Sequence, residues 1–494
     1  MQTKRFTARL SFALLSSALI VMALAIASVG QQSKTKPHRF RYVDLGTLGG
    51  PTSSIDGGGG TANNRGMFIP NADLSIQNPN FNNFNPYLGQ DAYVNHAALW
   101  SHGVLTDLGA LPGGFNSFPV WIDAAGTISG FSENGDLDPI AGVPAIRAVL
   151  WKNGKMIDLG TLGGYESLAL ETNSHGQIIG MAANSEPDSF PDPGFCASFG
   201  TQTRAFAQNG GAMQDLGTLG GPDAFAFYNN EANQVIGVSY TSFTPGPAGL
   251  WCDGSVPPVH PFLWQRGHMR DLGTLGGDYA APFILNQRGQ VVGFSLLNGN
   301  STAHPFLWPG PHGAMVDLGT LGGDNGQAGW INDSGVIVGE ADLPGSQVHH
   351  ATVWKDGRVF DLGTVDGDPC SSAFIVNSIG QVIGGSGPCG VGGHSWFWDG
   401  RGPIIDLARF LPPNSGIILQ EPNFINDRGE IVGRAILPNG DEHAFAMIPC
   451  DQSDGNPDCR EADPLAPATS IQPTSERSHQ QPELPHTPRR PKRK

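Results

Sequence analysis

A self-similar unit of about 50 residues recurs from about residue 40 to residue 448, and a repeat of this period folds as a solenoid, a propeller or a similar array. Three motifs return in fixed order. The first is an Asn-x-x-Gly element followed by a β-branched run, as in Leu285-Asn286-Gln287-Arg288-Gly289-Gln290-Val291-Val292-Gly293. The second is a short aromatic stretch, His260-Pro261-Phe262-Leu263-Trp264, and the third is Asp271-Leu272-Gly273-Thr274-Leu275-Gly276-Gly277. The leading position of the first motif is Asn or Asp eight times, at Asn63, Asp123, Asn173, Asn230, Asn286, Asn332, Asn377 and Asn426. The Asp of the third motif also occurs eight times, at Asp44, Asp107, Asp158, Asp215, Asp271, Asp317, Asp361 and Asp406. In the fourth copy Asn233 replaces the turn Gly, and Asn also tolerates φ > 0.

No unit has helical periodicity, and each reads as four short strands, A to D. Strand A ends at the Asn, the turn leads to strand B, the aromatic stretch is strand C, and a tight turn such as Lys152-Asn153-Gly154-Lys155 leads to strand D. Four antiparallel strands repeated radially make a propeller blade. The last unit has A, B and C (Phe424 to Met447) but no D, whereas the chain begins with an orphan D strand, Arg41-Tyr42-Val43-Asp44-Leu45-Gly46-Thr47. Joining them would leave no unpaired sheet edge, whereas an open solenoid would carry atypical caps at both ends. The expected fold is an all-β β-propeller of eight four-stranded blades closed by the N-terminal strand. Seven blades is the alternative, because Pro70 stands where strand B of the first unit should have Gly.

These motifs resemble the HAF-repeat family of predicted bacterial extracellular repeat proteins. Its His-Ala-Phe tripeptide stands at His443-Ala444-Phe445, and the resemblance covers about residues 40 to 448. It implies export and a repeat architecture and carries no catalytic residues. Arg147 and Arg204 replace the tripeptide histidine in two units, which argues against any role needing imidazole in every blade.

Composition fits this picture. Gly accounts for 69 of 494 residues and charged residues for only 15 %, as expected of turn-rich repeats whose strand faces are buried between neighbours. Gly and Pro follow no Gly-X-Y period, which excludes collagen. A net charge of −16 argues against a chain-wide nucleic-acid surface, which needs basic groups to neutralise phosphates.

The recurring polar residues read as structural. A His or Arg opens strand C in every unit, at His96, Arg147, Arg204, His260, His304, His350, His394 and His443. The strand D Asp usually follows about eleven residues later, close enough across a hairpin for a cross-strand pair. Acid–base dyads are the alternative, but one reaction needs one site, not eight. The strand C tryptophans at 100, 151, 264, 308, 354 and 398 are read as packing between blades rather than stacking on sugars.

Function is sought where units differ. The three largest insertions, about Pro70–Asn95, Glu186–Thr203 and Thr241–Val259, all join strand B to strand C, and loops of that length are usually functional or disordered. The D–A turns share their face and carry Glu166, Asp223, Asp278, Asp324 and Asp368. These five acids are the candidate ligand-binding residues, read as a partial carboxylate ring for a cationic ligand or Ca²⁺, a hard cation that prefers oxygen ligands; ordinary turn chemistry is the alternative. No catalytic or metal-ligating residue is assigned and no cofactor is expected. The chain has no zincin motif, nucleophile elbow or Walker loop. The expected function is a non-catalytic binding module for an extracellular glycan or surface protein on the B–C/D–A face, with no nucleic-acid partner, acting as a monomer. The alternative is a propeller hydrolase or lyase using blade-specific carboxylates.

Residues 1–30 read as a secretory signal peptide, with Lys4, Arg5 and Arg9 before an apolar run ending in Ala25-Ile26-Ala27. An uncleaved anchor is the alternative, since the run approaches spanning length. After cleavage no membrane span remains, and the expected location is secreted, periplasmic or at the cell surface. Six cysteines suit an oxidising compartment, and the repeat map suggests the pairs Cys196–Cys252, Cys370–Cys389 and Cys450–Cys459, against fifteen connectivities or free thiols. Residues 31–448 form the repeat domain. Residues 449–494, rich in Pro, Ser and Gln with the basic end Arg489-Arg490-Pro491-Lys492-Arg493-Lys494, read as a disordered tail.

Overall fold

The computed structural model describes residues 38–461 except 57–58, 189, 192, 194–199, 247–254, 312, 390–392 and 451–456. The signal peptide, most of the C-terminal tail and the Cys196–Cys252 pair lie outside the described residues.

The described chain is all-β and propeller-like, built of successive four-stranded antiparallel sheets with one 3₁₀ turn at Leu407–Phe410. The second unit is typical. Strands Ser117–Ile122 (A), Ile128–Leu137 (B), Pro144–Lys152 (C) and Lys155–Asp158 (D) pair in sequence order. The C–D turn places Asn153 at φ 53° and Gly154 at φ 72°, as a two-residue hairpin requires. In the first unit strand B is split into Met67–Phe68 and Asn71–Gln77 around Pro70, which has no N–H to give to a ladder.

The orphan strand Arg39–Asp44 pairs antiparallel with strand C of the last unit, from Phe40 opposite Pro449 to Asp44 opposite Phe445. Phe40 is buried against Phe397 and Phe410. Beyond it, Arg460–Glu461 adds a short strand to the outer side of Arg39 and Phe40, returned there by the Cys450–Cys459 disulfide. The described stretch of the C-terminal tail thus packs on the last sheet. Cys370 and Cys389 form a second disulfide.

The core lies between sheets rather than within one layer. Trp264 packs with Phe262 and Val235 of its own unit against Ile179, Ala205 and Leu216 of the preceding one. Trp308 does the same against Ile236, Leu263 and Leu272. Trp151 and Trp354 donate their indole N–H groups to the carbonyls of Leu108 and Gly319 in the preceding units, each at 3.0 Å. Strands B and C are therefore apolar on both faces, while strand D, with Lys155, Ile157 and Asp158 in the second unit, faces outward. That burial explains the low charge.

The strand B glycine has a separate cause. A Cβ on Gly130, Gly180, Gly237, Gly293 or Gly433 would lie about 2 Å from a strand A carbonyl oxygen. Strand A approaches so closely because it carries a β-bulge there, with register shifts between Pro119 and Trp121, Ala169 and Glu171, Ala226 and Tyr228, and Ala328 and Trp330. Bulges re-aim side chains, and these precede the residue two positions before the motif Asn.

Candidate ligand-binding site

The Asn of the Asn-x-x-Gly motif has two jobs. Its Oδ1 caps its own turn, as where Asn286 accepts from the N–H groups of Arg288 and Gln290, both at 3.0 Å. Its Nδ2 then donates to the backbone carbonyl of the corresponding residue in the next unit. The links run Asn63 to Asp123, Asn173 to Asn230, Asn230 to Asn286, Asn286 to Asn332, Asn332 to Asn377 and Asn377 to Asn426, all between 2.9 and 3.2 Å. Asn426 donates in turn to Asn63 O at 2.9 Å. Asp123 has no amide N–H and makes no such donation. A parallel set lies one residue on, where Gln287 N–H donates to Asp333 Oδ1 at 2.8 Å and Asp427 N–H to Asn64 Oδ1 at 2.9 Å.

These turns bound a cavity of about 330 Å³ to which every unit contributes. Its wall is made by the residues that the strand A bulges re-aim: Trp121, Glu171, Ile284, Trp330, Ile375 and Phe424 all line it. Tyr228 stands edge-on between Trp121 and Trp330, with ring centroids 5.8 and 6.0 Å away, and Trp330 meets Phe424 at 6.2 Å. Aromatic rings thus come from alternate units. Glu171 falls between two of them and is only 6 % exposed. One of its oxygens accepts from Asn229 N–H at 2.6 Å. Burial pushes its carboxyl well above the ordinary range, against the Asn229 N–H and with a further push from Glu231.

Gly59 and Gly60 pass between these rings. A Cβ on Gly60 would lie 1.9 Å from the Trp121 ring, and one on Gly59 would lie 2.6 Å from the Trp330 ring. Both have positive φ, 137° and 72°, so glycine is needed for conformation and for space. Gly60 O accepts from Ile122 N–H at 2.8 Å, tying this backbone to the second unit.

The five acids of the D–A turns are elsewhere, and none of them lines this cavity. Glu166 and Asp223 are buried, and each accepts from a strand C N–H of the preceding unit: Ile146 at 2.9 Å and Thr203 at 2.7 Å. Burial pushes the Glu166 carboxyl up to about 8, with Asp138 adding to the shift and Ile146 N–H, Arg147 and Asn85 opposing it. Asp278 is exposed and exchanges hydrogen bonds with Asn300, and Asp324 N–H donates to Ser346 Oγ at 2.9 Å. Asp368 accepts from Ser386 Oγ and pairs with His394 at 2.8 Å. Two of the five therefore latch neighbouring units and two engage nearby loop residues. Among the described residues no group of three or more His, Cys, Asp or Glu is placed to hold a metal ion. The Asn-rich insertion folds over its neighbours: Asn85 is fully buried and donates to Pro144 O at 2.9 Å.

The expected His–Asp pairs form diagonally across the C–D hairpins at His96–Asp107, His260–Asp271, His304–Asp317 and His350–Asp361, all within 3.0 Å. His443 makes the same pair with Asp44 at 2.9 Å. Each of these Asp residues also caps the Gly two positions on, as Asp271 does for Gly273 at 2.7 Å. The seventh unit departs, because Asp406 instead caps the 3₁₀ turn through Ala408 N–H, leaving His394 to Asp368.

Sequence reasoning did not single out the cavity wall. Its signal was an aromatic residue two places before the motif Asn or Asp in every second unit, at Trp121, Trp330 and Phe424 on the wall and at Tyr228 packed between the first two, and an extra glycine run in strand A of the first unit alone.

Fold and site together define a propeller-like protein with a cavity at the turns of its A strands. No protein-family model matches the chain and no curated protein matches it. Among solved structures, TolB from Acinetobacter baumannii is similar at 11 % identity and a TM-score of 0.31, over 68 % of this chain and 86 % of that one. Among the described residues no helix is long and apolar enough to cross a membrane.

Proposed function

We propose that the chain is an exported eight-bladed propeller of the HAF-repeat kind, in which Arg39–Asp44 serves as the outer strand of the last blade. It acts as a non-catalytic binding module that holds a glycan in the cavity at the A–B turns. The cavity carries this reading. Aromatic faces on its wall suit the C–H faces of a pyranose, and Asn64, Gln287, Asp333 and Asp427 at its rim suit the hydroxyls. The run of Asn links from unit to unit, ending on Asn63, supports closure, and the two disulfides suit an oxidising destination.

One observation favours the opposite face for a protein partner. Phe115 and Tyr165, 43 % and 41 % exposed, lie there with exposed Ile76, Leu137 and Ile140 on the first three units, and apolar patches mark interaction surfaces.

A glycan array probed with the wild type, Asp333→Ala and a Phe115→Ala/Tyr165→Ala double variant tests which face holds the glycan. Binding lost in Asp333→Ala and kept in the double variant supports the cavity. The reverse moves the site to the B–C/D–A face. Release of reducing ends from a bound glycan would overturn the non-catalytic reading.

A further inference from the structure

The chemistry of the cavity restricts its ligand further, and the following inference rests on the glycan reading above. Among the described residues five carboxylates line it, those of Asp123, Glu171, Glu231, Asp333 and Asp427, and no Lys, Arg or His does. Two of the basic side chains at the turn tips are turned to other partners. Arg65 donates to Ala125 O at 3.1 Å and Arg428 pairs with Glu430 at 3.2 Å. Among the described residues only His175 reaches an acid of the set, pairing with Glu231 at 3.1 Å.

Most of these acids are held by backbone. Asp123 Oδ1 accepts from Ala125 and Thr127 N–H, Asp333 from Gln287 N–H and Asp427 from Ser378 N–H. Glu171 differs. It is the most buried of the acids that come from the strand A ends, at 6 % exposed. Asn229 N–H occupies one oxygen, and the other has no hydrogen-bond partner among the described residues. A carboxyl oxygen open toward the cavity, on a side chain otherwise buried, is satisfied by a cationic donor.

We propose that the cavity selects a glycan bearing free amino groups, with one ammonium seated against Glu171. Acids at the rim draw the cationic chain to the mouth, and Glu171 gives the selectivity for a free amine over its amide. Burial holds the Glu171 carboxyl above its ordinary range, and an ammonium that pairs with it lowers it again, so binding releases protons to solvent at a pH between the two.

Titration calorimetry with a glucosamine trimer and with an N-acetylglucosamine trimer, at a weakly acidic pH and in two buffers of different ionisation heat, tests this. The free amine is expected to bind on the order of tenfold more tightly, with an apparent enthalpy that differs between buffers. Glu171→Gln keeps an acceptor for Asn229 N–H and should retain the wild-type melting transition while losing both the preference and the buffer dependence. Asp333→Asn, at the rim, checks the electrostatics independently: its affinity for the free amine should fall two- to threefold at low salt, with the buffer dependence kept. Equal binding of the two trimers leaves the glycan reading standing and overturns this inference. Binding of neither overturns both.

Discussion

Asn426 Nδ2 lies 2.9 Å from the backbone oxygen of Asn63, joining residues 363 positions apart in the chain. The same side chain caps its own turn through Arg428 and Glu430 N–H, both at 3.0 Å. One amide thus serves local turn formation and unit-to-unit assembly, which accounts for a residue with both a donor and an acceptor at nearly every copy. Asp123 can do only the first of these. Replacing it with Asn keeps the oxygen that caps Ala125 and Thr127 and supplies the missing N–H toward the Asn173 carbonyl. Asp123→Asn is expected to stabilise the fold by roughly 0.5–1.5 kcal/mol, read as a higher denaturant midpoint at unchanged slope. A lower midpoint would mean that the Asp charge, not the link, matters at this position.

The pairing of Arg39–Asp44 with Glu442–Pro449 predicts that the last sheet cannot fold properly without the N-terminal strand. A chain starting after Asp44 loses Phe40 from its contacts with Phe397 and Phe410 and exposes a full strand edge. Phe40→Ala alone should cost about 3–5 kcal/mol. The truncated chain should lose its single cooperative transition or self-associate in sedimentation. An unchanged melting curve would refute the closure proposed above.

His443 and Asp44 make the cross-strand pair at that seam. The Asp44 hydrogen bond, against some desolvation, holds the imidazole above its ordinary 6.5. Burial works to raise the Asp44 carboxyl, but the His443 ring and Gly46 N–H together hold it below its ordinary 3.8. Stabilisation from the raised imidazole is complete below pH 6.5 and is lost as pH rises through the folded value. Stabilisation from the depressed carboxyl is present above pH 3.8 and lost as pH falls through the folded value. The pair therefore contributes most between about pH 4 and 6.5. With Asp44 38 % exposed, solvent screening limits the gain to about 0.5 kcal/mol. His443→Gln should differ from the wild type by that much at pH 5.5, less at pH 8 and less in high salt. A pH-independent difference would show that packing, not charge, is at work.

Much of this architecture is legible in the sequence because it is made of turn chemistry repeated in register. The Asn-x-x-Gly copies, the Asn-Gly turns and the missing D strand each have local causes, and Asn233 takes φ 55° where the other copies have Gly. The cavity wall is less legible. Trp121, Tyr228, Trp330 and Phe424 resemble any aromatic core residue until the bulge before each is known, and the bulge is marked only by a glycine on the facing strand. The acids were misleading for a related reason. Glu166 and Asp223 sit in turns that look free, but only the neighbouring unit shows that a strand C N–H is waiting for them. Sequence periodicity reports what each unit repeats; what adjacent units exchange becomes visible only once they are side by side.

The glycine run of the first unit yields the sharpest steric prediction. Gly60 and Gly89 have nearly the same backbone, φ 72° and 75°, but a Cβ on Gly60 would lie 1.9 Å from the Trp121 ring whereas one on Gly89 meets nothing within 4 Å. Alanine at either position carries the left-handed penalty of roughly 1–2 kcal/mol. Gly89→Ala should cost no more than that. Gly60→Ala must also displace Trp121 from the wall, an overpacking that adds about 1–3 kcal/mol. Trp121→Ala removes the obstacle, so Gly60→Ala should cost little beyond the backbone term in that background. The coupling read from the double-mutant cycle is then on the order of 1–3 kcal/mol. Equal costs for Gly60→Ala and Gly89→Ala would mean that the glycine backbone does not rest on the tryptophan.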